Sequence, residues 1–427
     1  MANWVATAEA FCAVHPRRES TWVRWPMGRV LRDHMASFKE EPPIRPGTAD
    51  PYDPSHSKGP TLKRSKFDKE LVHHISMKEV SMSSKSRLGM FTLAIIVVGF
   101  ALPLLGQQKG QWVPGQFGLN AGVIPDPGIT YANLALNYSA SQLYNSNGNR
   151  ILQNVTGTYS FWVDENIFIY VPHHKILGGY FMPYVAVNYA TGSLVAALPP
   201  LLPGNTSGIN LGAGGSGLAD TFVEPINIGW HFQKRVDFVV GYAFLAPTGR
   251  YTAGASDNVG SGYWGNNITS GTTLYITKNQ ATTANLSTDW EIHGQKTVAS
   301  PVSGQLSKIT PGQAFTDEWG IGQILPVKKD FSQLAQLGLV GYDQWQVSGN
   351  GGNYLIAGFP VAASLVPYYS VHGLGFQANY ILPPKAVSLF FKYYDEYSAK
   401  ARPKGRTIVF GFSWTLRIPK PQAPTKP

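Results

Sequence analysis

The sequence predicts an all-β protein, a closed antiparallel transmembrane β-barrel of about twelve strands preceded by a signal peptide. Three observations predict it. From residue 130 to residue 416, short segments alternate apolar and polar residues, the period-two pattern of a strand with two unlike faces. The joins between segments run long, then short, then long again, the habit of chains that weave through the outer membrane with tight periplasmic turns and longer outer loops. Charged residues make up 14% of the chain, while Gly (45), Tyr (21), Phe (21) and Trp (11) abound, so the surface of an ordinary soluble domain is missing. A mean hydropathy of -0.11 with a single long apolar run excludes a bundle of transmembrane helices.

In chain order, residues 1–81 are rich in Arg, Lys, His and Pro and show no sustained periodicity, and they read as a non-native or disordered extension ahead of a true start at Met82 or Met77. Residues 82–106 read as the signal peptide. Lys85 and Arg87 precede the apolar run Phe91 to Leu105, which falls short of the roughly twenty residues of a spanning helix, and a cut after Gly106 is expected. An uncleaved anchor is the alternative. The only cysteine, Cys12, would leave with the extension, so no disulfide framework is expected. Residues 107–129 carry Trp112, Pro114, Pro125 and Pro127 and cannot form a regular strand, leaving a periplasmic lead-in or a lumen plug.

The barrel is assigned to 130–416. Its first strand, Thr130 to Ser141, sets Leu134, Leu136 and Tyr138 against Asn133, Asn137 and Ser139. Later strands set Ile226, Ile228, Trp230 and Phe232 against Asn227, Gly229 and His231, and Leu286, Trp290 and Ile292 against polar odd positions; the last sets Ile408, Phe410, Phe412, Trp414 and Leu416 against Thr407, Gly411, Ser413 and Thr415. Long joins are expected at Gln142 to Gly157, Thr191 to Gly217, Ala246 to Gly265, Gly294 to Gly312 and Ser348 to Ser364, with tight turns such as Gln233 to Arg235 and Pro383 to Lys385. Residues 417–427 form a periplasmic tail. Its Pro and Lys residues stand where barrels commonly end on the aromatic residue read by the barrel-assembly machinery.

A charge facing lipid at mid-bilayer costs about 2 to 4 kcal/mol for Arg or Lys and less for Asp or Glu, so strand charges are expected to face inward. That rule assigns Asp237, Asp289, Glu291, His293, Glu318 and Lys392 to the lumen. There they either fill and rigidify the barrel or line a transport path. The loop Ala246 to Gly265 holds Arg250, Tyr251, Asp257, Asn258, Tyr263 and Trp264 among five glycines and reads as an outer mouth or constriction, or else as a plain glycine-rich hairpin tip. Gly212 to Gly217 spells G-x-G-x-x-G without a strand leading in or a helix leading out, so no nucleotide site is expected. His173-His174 stands without further ligands at metal spacing, and no metal or cofactor is expected. Past residue 89 there remain 20 Lys and Arg against 15 Asp and Glu, with no basic stripe and no support for nucleic-acid binding.

The run from Gly217 to Gln346 resembles the phenol meta-pathway degradation family, outer-membrane transporter-like barrel proteins. The resemblance rests on Ala219-Asp220-Thr221-Phe222-Val223-Glu224-Pro225, Ala246-Pro247-Thr248-Gly249-Arg250-Tyr251, Asp257-Asn258, Tyr263-Trp264-Gly265, Glu291-Ile292-His293-Gly294, Glu318-Trp319-Gly320-Ile321-Gly322 and Leu339 to Gln346, with weaker echoes at Gly110 to Gly115 and Lys175 to Gly179. It implies a channel in the bacterial outer membrane, embedded in outer-membrane lipid, for uptake of small hydrophobic or aromatic compounds. The other readings are a lipid-acting barrel hydrolase, which needs a Ser or Thr and a His converging on the lipid face, and a plugged structural barrel. A monomer and a trimer fit the sequence equally.

Overall fold

The computed structural model describes residues 110–151, 156–198, 209–300, 303–356 and 358–417; the expected extension, signal peptide and most of the tail lie outside them. Twelve long strands form one antiparallel barrel: β1 (Gly128–Tyr144), β2 (Thr156–Val171), β3 (Tyr184–Leu198), β4 in two halves (Ile209–Leu218 and Thr221–Phe232), β5 (Val236–Ala246) and β6 (Gly265–Tyr275), followed by β7 (Thr282–His293), β8 (Ala314–Pro326), β9 (Leu334–Gln346), β10 (Ser370–Leu382), β11 (Val387–Lys400) and β12 (Pro403–Arg417). Each strand pairs with the next, and β12 closes on β1 from Gly128↔Arg417 to Leu143↔Pro403. Closure leaves no edge backbone to satisfy in lipid, which is the condition for a sheet to span a bilayer.

The expected loop at Thr191 to Gly217 is a correction. β3 continues to Leu198 and β4 begins at Ile209, with Ala190↔Gly217, Gly192↔Gly215 and Ser193↔Gly214 in register. Glycine, alanine and serine carry no hydropathy alternation, yet a backbone ladder needs none. The G-x-G-x-x-G run therefore lies inside a strand. Gly215 is required there by close approach: a Cβ at this position would stand 2.1 Å from the Asp257 carbonyl oxygen of the mouth loop. β4 is broken at Ala219-Asp220, and its register with β5 shifts between Val223 and Ile226. Pro225, which cannot donate to a ladder, falls within that irregularity.

The long joins after β7 and β9 are not bare loops. They contribute short strands, Lys296–Ala299, Leu306–Thr310, Gly351–Ile356 and Phe359–Ala362, that pair into a separate four-stranded sheet. Ile309, Tyr354, Ile356, Ala363 and Val366 form its own buried apolar cluster. The outer join after β11 is tight instead, Ala401-Arg402, which breaks the long-short rhythm.

The two faces of the wall follow the expected polarity on most strands; Asp343 and Asp395 stand outward near the outer ends of β9 and β11, and β1 and β2 are reversed. On β12, Phe410, Phe412, Trp414 and Leu416 point outward, while Thr407, Ser413 and Thr415 are buried inside. On β1 the order is reversed. Leu134, Leu136 and Tyr138 are buried in the interior, and Asn133 faces out, where its amide donates to the exposed Asp164 of β2 at 2.6 Å. The Tyr131 hydroxyl donates to Asn166 on the same outer face at 2.7 Å. Alternation shows that a strand has two unlike faces; it does not say which one is inside.

Candidate functional site

The interior is occupied by the chain's own N-terminal segment. Residues 110–127 run inside the wall before entering β1, and their backbone is stitched to strand side chains. Glu318 on β8 is the anchor: its Oε1 accepts the N–H groups of Gly115 (2.9 Å) and Gln116 (3.2 Å) and the Trp112 indole N–H (3.2 Å), and its Oε2 accepts Phe117 (2.7 Å) and Gly118 (3.3 Å). Successive N–H groups curled round one carboxylate form an anion nest. The curl is possible because Gly115 and Gly118 take left-handed φ angles of 101° and 54°. On the opposite side of the segment, Lys392 donates to the carbonyls of Gln116 and Phe117, the latter at 3.1 Å.

Other wall residues fix the ends of the segment. Glu291 accepts the Trp112 N–H at 2.9 Å, Gln344 donates to the Trp112 carbonyl at 3.2 Å, and Gln377 accepts the Leu119 N–H at 2.8 Å. Thr273 and Asn285 both donate to the Ala121 carbonyl. His293 stands between two acceptors, the Gly312 carbonyl at 2.8 Å from Nδ1 and Glu291 at 3.3 Å from Nε2, so it donates from both nitrogens only as an imidazolium.

All six residues assigned to the lumen are buried. The structure brings Glu291, His293, Glu318 and Lys392 together around the segment. Asp289 lies beside them without touching it and accepts from Asn267 at 2.8 Å. Asp237 is elsewhere, at the periplasmic end, held by His231 at 2.6 Å and Tyr275 at 2.8 Å. Sequence reasoning missed Glu396 and Arg402. Arg402 folds back from the outer turn into the barrel, donating to Gln344 at 3.0 Å and pairing with Glu396 at 3.4 Å, while Tyr138 and Tyr342 also donate to Glu396.

The mouth loop is ordered by side chain to backbone bonds. Arg250 donates to the Asp257 carbonyl at 2.7 Å and pairs with its carboxylate at 3.2 Å, and Asn258 bridges Thr252 and Ala255. Asp220, in the break of β4, accepts the N–H groups of Gly249 (3.0 Å) and Ser261 (2.8 Å). Gln111 reaches Ser261 at 2.6 Å, so the segment is tied to the mouth. Tyr263 is buried against His293, whereas Trp264 is exposed and points outward beside Phe244. Trp264 is therefore part of the outer belt and does not line the mouth.

Between the segment and the β1–β2–β3 wall the structure leaves space. An upper cavity of about 480 Å³ reaches the mouth loop at Asn258 and Ser261 and is walled by Leu136, Phe161, Val163 and Ala190. A lower one of about 100 Å³, walled by Leu134, Ile167, Ile169 and Met182, lies toward the periplasmic end. They share Trp112, Gln116, Glu165 and Phe222 as a common waist. Trp112 packs on Phe117 and Phe222 at ring distances of 5.5 and 5.7 Å, and Tyr184 stacks on Phe222 at 5.6 Å. Among the described residues there is no group of three or more His, Cys, Asp or Glu side chains able to hold a metal.

A closed twelve-strand barrel with an outward apolar belt defines a bacterial outer-membrane β-barrel protein. The chain belongs to the family described as "Putative MetA-pathway of phenol degradation", whose model matches residues 140–412. The structure is similar to that of an outer-membrane channel from Pseudomonas putida F1, with a TM-score of 0.53 and 12% identity over 72% of this chain and 100% of that one. It is also aligned with the β domain of a Bordetella autotransporter, BrkA (TM-score 0.42, 12% identity, 68% and 100% covered), and with a Pseudomonas aeruginosa FadL homologue (0.31, 10%, 68% and 90%). At 12% identity the likeness to the Pseudomonas putida channel is one of fold. No curated protein matches the sequence.

Proposed function

We propose that the protein is a passive channel through which small hydrophobic or aromatic molecules cross the outer membrane, moving between the N-terminal segment and the β1–β2–β3 wall. One observation carries the reading: two cavities in series along a wall whose inner face is apolar on β1 and β2 but for Glu165, narrowed at a waist of aromatic rings. An aqueous pore gains nothing from Leu134, Leu136, Ile167 and Ile169 inside and Asn133 and Asp164 outside. A path for apolar solutes does, because each step exchanges water contact for apolar contact. The family description and the fold of the Pseudomonas putida channel support the same reading.

The charged groups that hold the segment serve as the frame of the path, and the segment as its inner lining. The hydrolase reading has one observation in its favour, a His372–Asp343 pair at 2.5 Å on the outer face. Among the described residues no Ser or Thr hydroxyl is hydrogen-bonded to His372, so the pair lacks a nucleophile.

The test is entry of aromatic hydrocarbons into lipopolysaccharide-containing vesicles, read with an entrapped fluorescent host. Leu136→Trp and Ala190→Trp, which fill the upper cavity, should each slow entry several-fold. Entry indifferent to both substitutions would remove the path.

A further inference from the structure

From Tyr159 to Val171, the inner face of β2 is apolar or aromatic at every position but one: Glu165 stands between Val163 and Ile167. It is 9% exposed and lines both cavities at the waist. Its carboxylate accepts no hydrogen bond from any described residue; the Asn133 amide reaches only its backbone carbonyl. Every other lumen carboxylate described above is held by donors, Glu318 by five and Glu291 by two. Directly across the ladder, Glu165 is paired with Asn188 of β3. One of the two N–H groups of the Asn188 amide donates to the Asp220 carbonyl at 3.1 Å, and its Oδ1 is buried with no partner. Asn188 also lines the upper cavity.

Glu165 therefore presents to both cavities a carboxylate that receives no donor from the described residues, among Trp112, Phe222 and Phe161. A buried acceptor left unmatched is costly, and a ligand that supplies the missing donor recovers that cost. We infer that the waist is a binding site for an uncharged aromatic molecule bearing one O–H or N–H donor, with the donor on Glu165 and the ring among Trp112 and Phe222. The site discriminates against carboxylate anions, which would bring a second carboxylate against Glu165. This rests on the channel reading and adds its selectivity.

Binding of 4-fluorophenol, 4-fluoroaniline, 4-fluorotoluene and 4-fluorobenzoate to the folded full-length protein, followed by fluorine NMR, tests it without requiring transport. The phenol and the aniline should bind roughly tenfold more tightly than the toluene, the gain of one well-made buried hydrogen bond, and the benzoate more weakly than all three. Glu165→Leu should bring phenol and toluene to equal affinity. Glu165→Gln, nearly isosteric and a safeguard against misfolding, should weaken phenol binding part way and relieve the exclusion of benzoate. Equal phenol and toluene affinities in the unaltered protein, or a preference that survives Glu165→Leu, would overturn the inference while leaving the channel reading intact. Selective binding without vesicle entry would do the reverse.

Discussion

Glu318 Oε2 receives the backbone N–H of Phe117 at 2.7 Å across 201 residues of sequence, and the same carboxylate takes four further N–H groups of the N-terminal segment. Five charge-assisted bonds on one buried side chain make it the main restraint on the lining of the lumen. Glu318→Ala should release residues 110–127 from the wall, raising ion conductance in planar bilayers and exposing the segment to protease from the periplasmic side. Glu318→Gln keeps one acceptor oxygen and should fall between the two. Conductance and cleavage unchanged in Glu318→Ala would mean that Lys392, Gln377 and Glu291 hold the segment alone.

Asp164 faces outward in the middle of the β1–β2 wall, above Phe168 and below Trp162, both exposed. An acid in the lipid belt costs somewhat less than the 2 to 4 kcal/mol of a basic residue, and its bonds to Asn133 and Asn166 offset only part of that. Asp164→Leu should stabilise the folded barrel by roughly 1 to 2 kcal/mol in urea titrations in lipid vesicles. A loss of stability together with a fall in apparent mass would instead show the polar island to be covered by a second copy of the chain.

These residues also show where the sequence was readable. β7 and β12, with Leu286 and Trp290 or Phe410 and Trp414 on one face, are legible because lipid demands a continuous apolar face. β3 and β4 beyond residue 191 are not, since glycine and alanine leave the ladder without a hydropathy signal. Inward burial of Asp289, Glu291, Glu318 and Lys392 followed from the cost of charge in lipid. The same rule fails at Asp164, Asp343 and Asp395, which face outward, and at the first of these alternation sends the neighbouring Glu165 inward. Alternation would likewise have placed Glu396 inside, since Asp395 beside it faces out. What no local pattern could contain is the partner of Glu318, four backbone N–H groups and the Trp112 indole about two hundred residues away.

Gly215 should tolerate no side chain. A Cβ there would stand 2.1 Å from the Asp257 carbonyl oxygen, and the neighbouring Gly214 N–H already holds the Ser256 carbonyl at 3.0 Å. Gly215→Val should push the mouth loop off β4, break the Arg250 bond to the Asp257 backbone, and open residues 250–260 to cleavage in the folded protein. Barrel closure at β1 and β12 is remote and should be unaffected, as judged by heat-modifiable mobility in gels. A loop as resistant as that of the unaltered protein would show that the strand bends to admit the side chain.

Lys296 lies in the outer sheet, with its ammonium 4.9 Å from the ring centre of Tyr251 and 5.5 Å from that of Tyr263. Burial lowers its pKa from the ordinary lysine value to about 8, with Asp220 pulling weakly the other way. The folded loops therefore hold the amine more easily neutral than the unfolded chain does. Between about pH 8 and the ordinary value near 10.5 the unfolded state carries a proton that the folded one has shed, so the stability of the mouth rises with pH across that window. Below pH 8 both states are charged and the burial penalty is present in full. Local opening of the mouth, measured by cleavage at residues 250–260 in vesicle-embedded protein, should slow as pH is raised from 8 to 10. In Lys296→Met, which fills the same space between the two rings without a titrating group, the rate should lose this pH dependence and already be slow at pH 7. A slope that persists in Lys296→Met would assign it to another group of the outer loops.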